Sequence, residues 1–503
     1  DVLLPDRERA VAGPDLPPRA DRTADDHRGL LAALATAPDS LLTFPRGDLR
    51  RSSERTPSRW LLDTAEARDG IRPSTEQLAE GTGDWLREVP SFVAGLRAAG
   101  FPAHAQEYDL RRLLDDFDRR RAPGSDSGVL DRPELRRGME LIRARLSTRF
   151  TRFDGNLRTD GDLRGVHLPS PTDTGVVVSA TRLEAWASCP HAYFVRYVLG
   201  VDAVEAPDEQ HRISPLTRGS LVHRALERWL AEALTAGELP APTSRWPTRW
   251  RERLVEIGAE ECDRLEARGM VGRPIYWRGD RRSLLDDLER FVDFDDAQRS
   301  LLDSRPVATE MSFGLPGDTD EPVELALPDG RELRIRGSID RVDESSDGTI
   351  PVIDYQTGSN RGYRQLSADD PAPGGGHLQL VLYAAAARRI LGRPRDPVRG
   401  AYWFVSEKGG FDTRGYTITP EVEAGVLQVV GEIVDGIAQG RFPLHPEPPG
   451  WRAWVSCDFC EPDGLGTRPQ WRDWERKKDD PELMAYRAIV EPDLLHQPGG
   501  GDG

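Results

Sequence analysis

Between residues 332 and 345 apolar and polar positions alternate: Leu333, Ile335, Gly337 and Ile339 against Arg334, Arg336, Ser338 and Asp340. A two-residue period sends successive side chains to opposite faces, so the pattern predicts a strand. Val352, Ile353, Asp354, Tyr355 and Gln356 make a second run, joined to the first through the turn-rich 344–348 segment, and the two predict a hairpin. Asp354 and Gln356 then share a face. From Leu378 to Arg389 the period becomes helical, and Gln379 and Tyr383, four apart, face the same way. Residues 307–315 predict a strand leading into the hairpin, 400–406 a later strand, and 420–440 an amphipathic helix. The order helix, hairpin, strand, helix, strand describes an α/β core, a mixed sheet flanked by helices.

Upstream the pattern is mainly helical with some strand. Residues 1–26 lack periodicity and predict a linker; Leu30, Leu31, Leu34 and Ala37 open a helix. Leu41, Leu42 and Phe44 predict a short buried strand ending at Pro45, and residues 55–63 a helix with Ser58 as N-cap. Residues 75–99, 105–121 and 133–148 are helical stretches divided by glycine and proline, and the loop from Phe153 to Thr174 is the expected boundary. Beyond it a strand from Val176 meets a helix capped by Ser179, with Trp186, Tyr193, Phe194 and Tyr197 expected in the core. In 217–230, Val222, Ala225, Leu226 and Trp229 mark a buried stripe with His223 at its edge; helices follow over 246–268 and 283–302. The expected organisation is a helical module over 27–165, an α/β domain over 174–495 and a disordered tail over 496–503.

At 503 residues with a formal net charge of −17, the chain is no general polyanion binder, so any nucleic-acid path must be a local basic track. Arginine carries nearly all the positive charge; the lysines are Lys408, Lys477 and Lys478. Four cysteines make no disulfide framework, and neither a signal peptide nor an apolar run of membrane-spanning length occurs, which points to a reducing cytoplasm and no membrane partner. No G-x-x-x-x-G-K-[ST] pattern is present to bind ATP. The chain opens on Asp1 within a polar stretch and is expected to be part of something longer.

Two aspartates on a hairpin, Asp340 and Asp354, offer oxygens suited to Mg²⁺ or Mn²⁺, and such sites activate water for attack on phosphate. G-x-I-D-R-V-D at 337–343, V-I-D-Y-x-T-G at 352–358 and Q-L-x-L-Y at 379–383 resemble the nuclease domain of the RecB and AddB type. That domain belongs to the PD-(D/E)XK nuclease superfamily, a restriction-endonuclease-like fold. The resemblance implies that Asp340 and Asp354 are metal ligands and that Gln379 and Tyr383 lie along DNA. It also implies a role for His223, in the family's G-x-x-x-H helix, as metal ligand or phosphate contact. Arg182, in the entry pattern S-x-T-x-L-E-x-W-x-x-C-P, is placed to meet phosphate. Glu310 matches a family glutamate, though an ion pair with a sheet arginine explains it equally. The departure is Gln356, where the family pattern has a lysine that orients the attacking water; a neutral amide supplies hydrogen bonds but no cation.

The helix, the strand, P-R-G-D at 45–48 and P-S-R-W-L at 57–61 resemble the closing part of an AddB-like or RecC-like helicase module; the resemblance implies such a module over 27–165 and a helicase subunit or upstream helicase domain as partner. Cys457 and Cys460, with Cys189 far upstream, resemble the residue of a cysteine cluster that in AddB-type nucleases holds a [4Fe–4S] centre. Gly466 stands where the fourth thiolate would be, and no iron–sulfur cluster is expected. Two readings follow. One is a metal-dependent deoxyribonuclease acting on a single strand or duplex end in double-strand break repair, attenuated by Gln356. The other is a catalytically inactive nuclease fold that guides DNA or scaffolds a helicase.

Overall fold

The computed structural model describes residues 19–45, 47–48, 51–80, 85–118, 133–159, 167–202, 211–317, 321–446 and 468–491, with Asp6 and Arg9. The chain forms two compact units, 1–139 and 140–503.

The first unit contains α1 (Arg19–Ala35), β1 (Gly47–Asp48), β2 (Arg51–Glu54), α2 (Arg59–Asp69), α3 (Thr75–Glu80), α4 (Phe92–Ala98) and α5 (Ala105–Asp118); α6 (Pro133–Leu146) spans the boundary. Ser58 caps α2 as expected, its hydroxyl accepting the Leu61 amide, and Gly70 ends that helix at φ +75, a conformation that favours glycine. Two expectations fail. The helix begins at Arg19, inside the supposed linker. Leu41 to Phe44 form no strand, and Leu41 is 88% exposed. Pro38 and Pro45 bracket that run, and proline denies a ladder its donors. Among the described residues of 75–99 the helix is likewise in two short pieces, with Pro90 before the second and Ser91 capping it.

In the second unit, α7 (Ala180–Ser188) and the short α8 (Pro190–Tyr193) precede three long helices, α9 (Pro215–Ala236), α10 (Thr248–Ala267) and α11 (Pro274–Leu302). The strands are β3 (Ser304–Phe313), β4 (Val323–Ala326), β5 (Glu332–Ile335), β6 (Gly337–Ser345), β7 (Ile350–Gln356), β8 (Val398–Phe404) and β9 (Thr413–Ile418). Helix α12 (Gln379–Ile390) crosses between β7 and β8; α13 (Pro420–Ala438), α14 (Arg468–Lys477) and α15 (Met484–Val490) follow β9. The main sheet runs β3-β6-β7-β8-β9, with β7 and β8 parallel and every other pair antiparallel. It is the mixed, helix-flanked sheet that the pattern predicts. The alternating run 332–345, however, is two strands. Its first part, β5, pairs with β4 and is bridged by Val178, whose amide and carbonyl bond Arg334 and Arg336.

Both faces of the sheet are covered, which is why β7 and β8 read as almost continuously apolar. Val352, Tyr402 and Phe404 join one core with α7, α12 and α13. Their neighbours Ile353, Trp403 and Val405 join the other, with α9, α10 and α11. Under the second face lies a buried ion network: Arg341 bonds Asp343 and, at 2.5 Å, Asp295, which also holds Arg299 at 2.8 Å. The start and end of the unit meet at Lys477, 4% exposed on its side chain, whose ammonium donates to the carbonyls of Ala144 and Arg149 and to Asp154.

Candidate active site

Strands β6 and β7 pair through only Arg341–Ile353 and Val342–Val352. One step further the ladder stops, and the Tyr355 amide donates to Asp340 Oδ2 at 2.6 Å instead of to a strand carbonyl. The Asp340 carboxylate therefore closes the fork between the parting strands. On the opposite edge, Thr309 pairs with Arg341 and Met311 with Ile339, while Glu310 between them takes φ +46. A non-glycine residue held there costs on the order of 1 kcal/mol, and such strain gathers at functional sites. Glu310 accepts the Ser338 hydroxyl at 2.7 Å, not an arginine.

Helix α9 brings His223 to this fork. Its neighbours Leu221, Val222, Ala225 and Leu226 are buried, which fixes the helix rotation. His223 Nδ1 lies 3.1 Å from Asp340 Oδ1, and its ring meets Tyr355 edge-on at 6.1 Å. His223, Glu310 and Asp340 each present a ligand atom, all within 4.8 Å of one another.

Asp354 is not among those three, although it interacts electrostatically with both His223 and Asp340. Its Oδ2 accepts Gln356 Nε2 at 2.6 Å, so these two do share a face. Tyr363 donates its hydroxyl to Gln356 Oε1 at 3.1 Å. Of the expected ligands, then, His223 and Asp340 come together directly, with Glu310 beside them and Asp354 bordering the group.

The electrostatics favour a bound cation. Burial pushes Asp354 up to about 8, and the charge of Asp340 adds to it; the Gln356 bond only partly offsets this. Burial also raises Glu310, with Asp340 and Glu227 contributing. At His223 burial opposes charge, but the Asp340 hydrogen bond and the charges of Asp340, Asp354 and Glu310 outweigh it and raise the imidazole to about 9. Crowded, half-desolvated carboxylates hold protons that a metal ion would replace. A nitrogen and several carboxylate oxygens fit a divalent cation of the Mg²⁺ or Mn²⁺ kind.

The expected DNA-facing residues lie on the α12 side of the sheet. Gln379 opens α12 and its Oε1 accepts the Tyr402 hydroxyl at 3.4 Å. Tyr383 is buried edge-on to Phe313, against Gly337, where any Cβ would stand 2.8 Å from the Tyr383 ring. Burial, then the charge of Asp354, raises the Tyr383 phenol. Arg182 lies over the rings of Tyr193 and Tyr197, at 5.7 and 5.2 Å. Cys189 is buried at the start of α8, and Cys262 is a buried thiol raised to about 11 by desolvation. Cys457 and Cys460 lie outside the described residues.

More than half of the chain, residues 177–463, matches the model of the PD-(D/E)XK nuclease superfamily. The chain belongs to that superfamily. Its nuclease region is AddB-like. It is similar to an ATP-dependent helicase/deoxyribonuclease subunit of Symbiobacterium thermophilum, 33% identical over 215 residues, 42% of this chain and 17% of that protein. The protein of the same name from Desulforudis audaxviator is 32% identical over 243 residues, 46% of this chain and 19% of the relative. The chain thus covers less than a fifth of the length of these relatives.

Two residues of this PD-(D/E)XK site make contacts that the sequence does not foretell. Glu184, inside the quoted entry pattern, accepts the Leu378 amide at 2.7 Å and so ties α7 to the start of α12. Burial raises its carboxyl. Tyr363 follows the D-Y-Q-T-G motif by a few residues, and that proximity is the only hint of its contact with Gln356.

Proposed function

We propose that the second unit contains a divalent-metal-dependent deoxyribonuclease domain that hydrolyses phosphodiester bonds slowly, with Gln356 in the position of the family's lysine. The single observation that carries the reading is the convergence of His223, Glu310 and Asp340 within 4.8 Å at the fork of the sheet. Asp340, Glu310 and His223, with Asp354 alongside, would hold the Mg²⁺ or Mn²⁺. A cation bound there neutralises phosphate charge and lowers the pKa of bound water. The protein's own residues then orient the site: the Tyr355 amide and His223 fix Asp340, Ser338 fixes Glu310, and Gln356 fixes Asp354. Gln379, Tyr383 and Arg182 would line the DNA.

The relatives' names, helicase/deoxyribonuclease subunits, support a helicase partner and DNA as substrate; action on DNA ends, in cytoplasmic break repair, is what the resemblance of the motifs implies. Residues 27–165 would be the closing part of a helicase-like module and 174–495 the nuclease domain. The second reading, a nuclease fold that guides DNA without cutting it, is favoured by the neutral Gln356 alone. The test is cleavage of end-labelled single-stranded and duplex DNA with Mn²⁺, against Asp340→Asn. Metal-dependent products that Asp340→Asn abolishes support the nuclease; DNA binding without products in either protein supports the guide.

A further inference from the structure

An amide differs from an ammonium in having two unlike ends, one that donates and one that accepts. Turned the right way, Gln356 gives an N–H to Asp354. Turned over, it sets an oxygen against a carboxylate and points its donors away from it. What stands on its far side therefore decides whether it works. That neighbour is Tyr363: the hydroxyl donates to Oε1 at 3.1 Å while Nε2 donates to Asp354 Oδ2 at 2.6 Å. The chain of donors runs one way, from phenol through amide to carboxylate, and leaves the second N–H of Gln356 for a water or a phosphate oxygen.

Tyr363 is itself held. It ends the 3₁₀ turn Asn360–Tyr363, capped by Ser359. Its ring packs against His377, Tyr402 and Phe404, with centroids 4.4, 5.0 and 4.9 Å away. Burial first, then the charges of Asp354 and Glu184, raise the phenol to about 12, so it remains a donor at neutral pH.

We propose that Tyr363 is a positioning residue that locks the Gln356 amide with its nitrogen toward Asp354, and thereby prepares Asp354 for a divalent cation. This rests on the metal-dependent nuclease reading. Relatives of the D-Y-K-T-G pattern have no need of such a lock, because three equivalent N–H groups on an ammonium have no wrong face.

The experiment compares four proteins: the wild type, Tyr363→Phe, Gln356→Lys and the double variant. Phenylalanine keeps the ring packing and removes only the donor. Mn²⁺ affinity is measured by calorimetric titration and DNA cleavage in single turnover. Loss of an outer partner of a metal ligand typically weakens binding about 10- to 100-fold. Tyr363→Phe is expected to weaken Mn²⁺ by at least about tenfold and to slow cleavage similarly at unchanged DNA affinity. In the Gln356→Lys background the same change should alter either quantity by less than about twofold, the non-additivity of residues acting through one contact. Equal effects in both backgrounds, or none in the wild type, overturn the proposal. If the wild type cuts no DNA while its Mn²⁺ affinity still responds to Tyr363→Phe only in the Gln356 background, the nuclease reading falls and the positioning role stands.

Discussion

Asp340 reaches across a gap in the sheet to Tyr355: its Oδ2 takes the backbone amide at 2.6 Å, leaving Oδ1 facing His223. One carboxylate therefore serves the fold and the site at once. Asp340→Asn keeps an acceptor for the Tyr355 amide and loses the charge. It should bind Mn²⁺ at least about tenfold more weakly, yet unfold within about 1 kcal/mol of the wild type. Asp340→Ala, which strands the buried amide, should cost about 1–3 kcal/mol. Calorimetry and denaturant titration separate the two effects; equal destabilisation by both variants would show that the charge, not the acceptor, holds the fork.

Protons and metal should compete. In the metal-free protein His223 is raised to about 9 and Asp354 to about 8, each above its unfolded value. The folded state therefore holds more protons than the unfolded one across that range. The His223 contribution is full below about 6.5 and fades as the pH passes its raised value; ionising Asp354 costs stability from about 4 upward. The chelator-treated protein should melt lower at pH 9 than at pH 6.5, and Mn²⁺ should restore more at pH 9. At neutral pH binding should release at least one proton, read from titrations in buffers of different ionisation enthalpy.

Gln356→Lys should raise the cleavage rate. A single preorganised donor to developing charge is typically worth about a hundred- to a thousandfold in rate. The new ammonium would also favour the ionised Asp354. A rate no faster than wild type, with end-labelled DNA and Mn²⁺, would mean that the amide already meets the requirement or that the domain does not cut.

Arg341, fully buried, joins Asp295 and Asp343 beneath the sheet and lies over the Trp403 ring at 5.6 Å. Arg341→Met removes the cation and leaves two buried carboxylates, so the second unit should lose about 3–5 kcal/mol. Asp295, held below its ordinary value by Arg341 and Arg299 despite burial, contributes stability that is present above the unfolded carboxyl range and lost as pH falls. The stability gap between the wild type and Arg341→Met should therefore narrow as the pH falls through the carboxyl range, read from denaturant titrations at several pH values.

Strands β3, β6, β7 and β8, the α12 helix and the helix-flanked sheet are legible because each depends on local period, and period survives in a single sequence; β4 and β9 are not among the predicted strands. His223 meeting Asp340 is legible only through the motif, since 117 residues separate them. Glu310 is ambiguous in sequence because its role turns on one backbone dihedral that no composition reveals. Glu184 stands in the entry pattern, but its contact is silent because the partner, the Leu378 amide, is 194 residues away and carries no side-chain signature. The break after Ile335 is hidden because alternation continues through it, while the partner strand changes from β4 to β3.

Lys477 gives the second unit a minimum extent. Its ammonium gathers three acceptors from residues 144–154, the Phe150 amide donates to Asp480, and the Phe442 amide donates to the Gly155 carbonyl. The two ends of the unit are thus sewn to each other rather than appended to a finished sheet. A fragment cut at the limits of the motif-bearing core, near 177 and 440, would keep His223, Asp340 and Asp354 but drop both sides of these contacts, and would leave the Trp186 indole N–H without the Arg441 carbonyl and the Ala187 carbonyl without the Tyr486 hydroxyl. One running from 140 to 491 keeps all of these contacts, and is the piece in which the proposed chemistry should be sought.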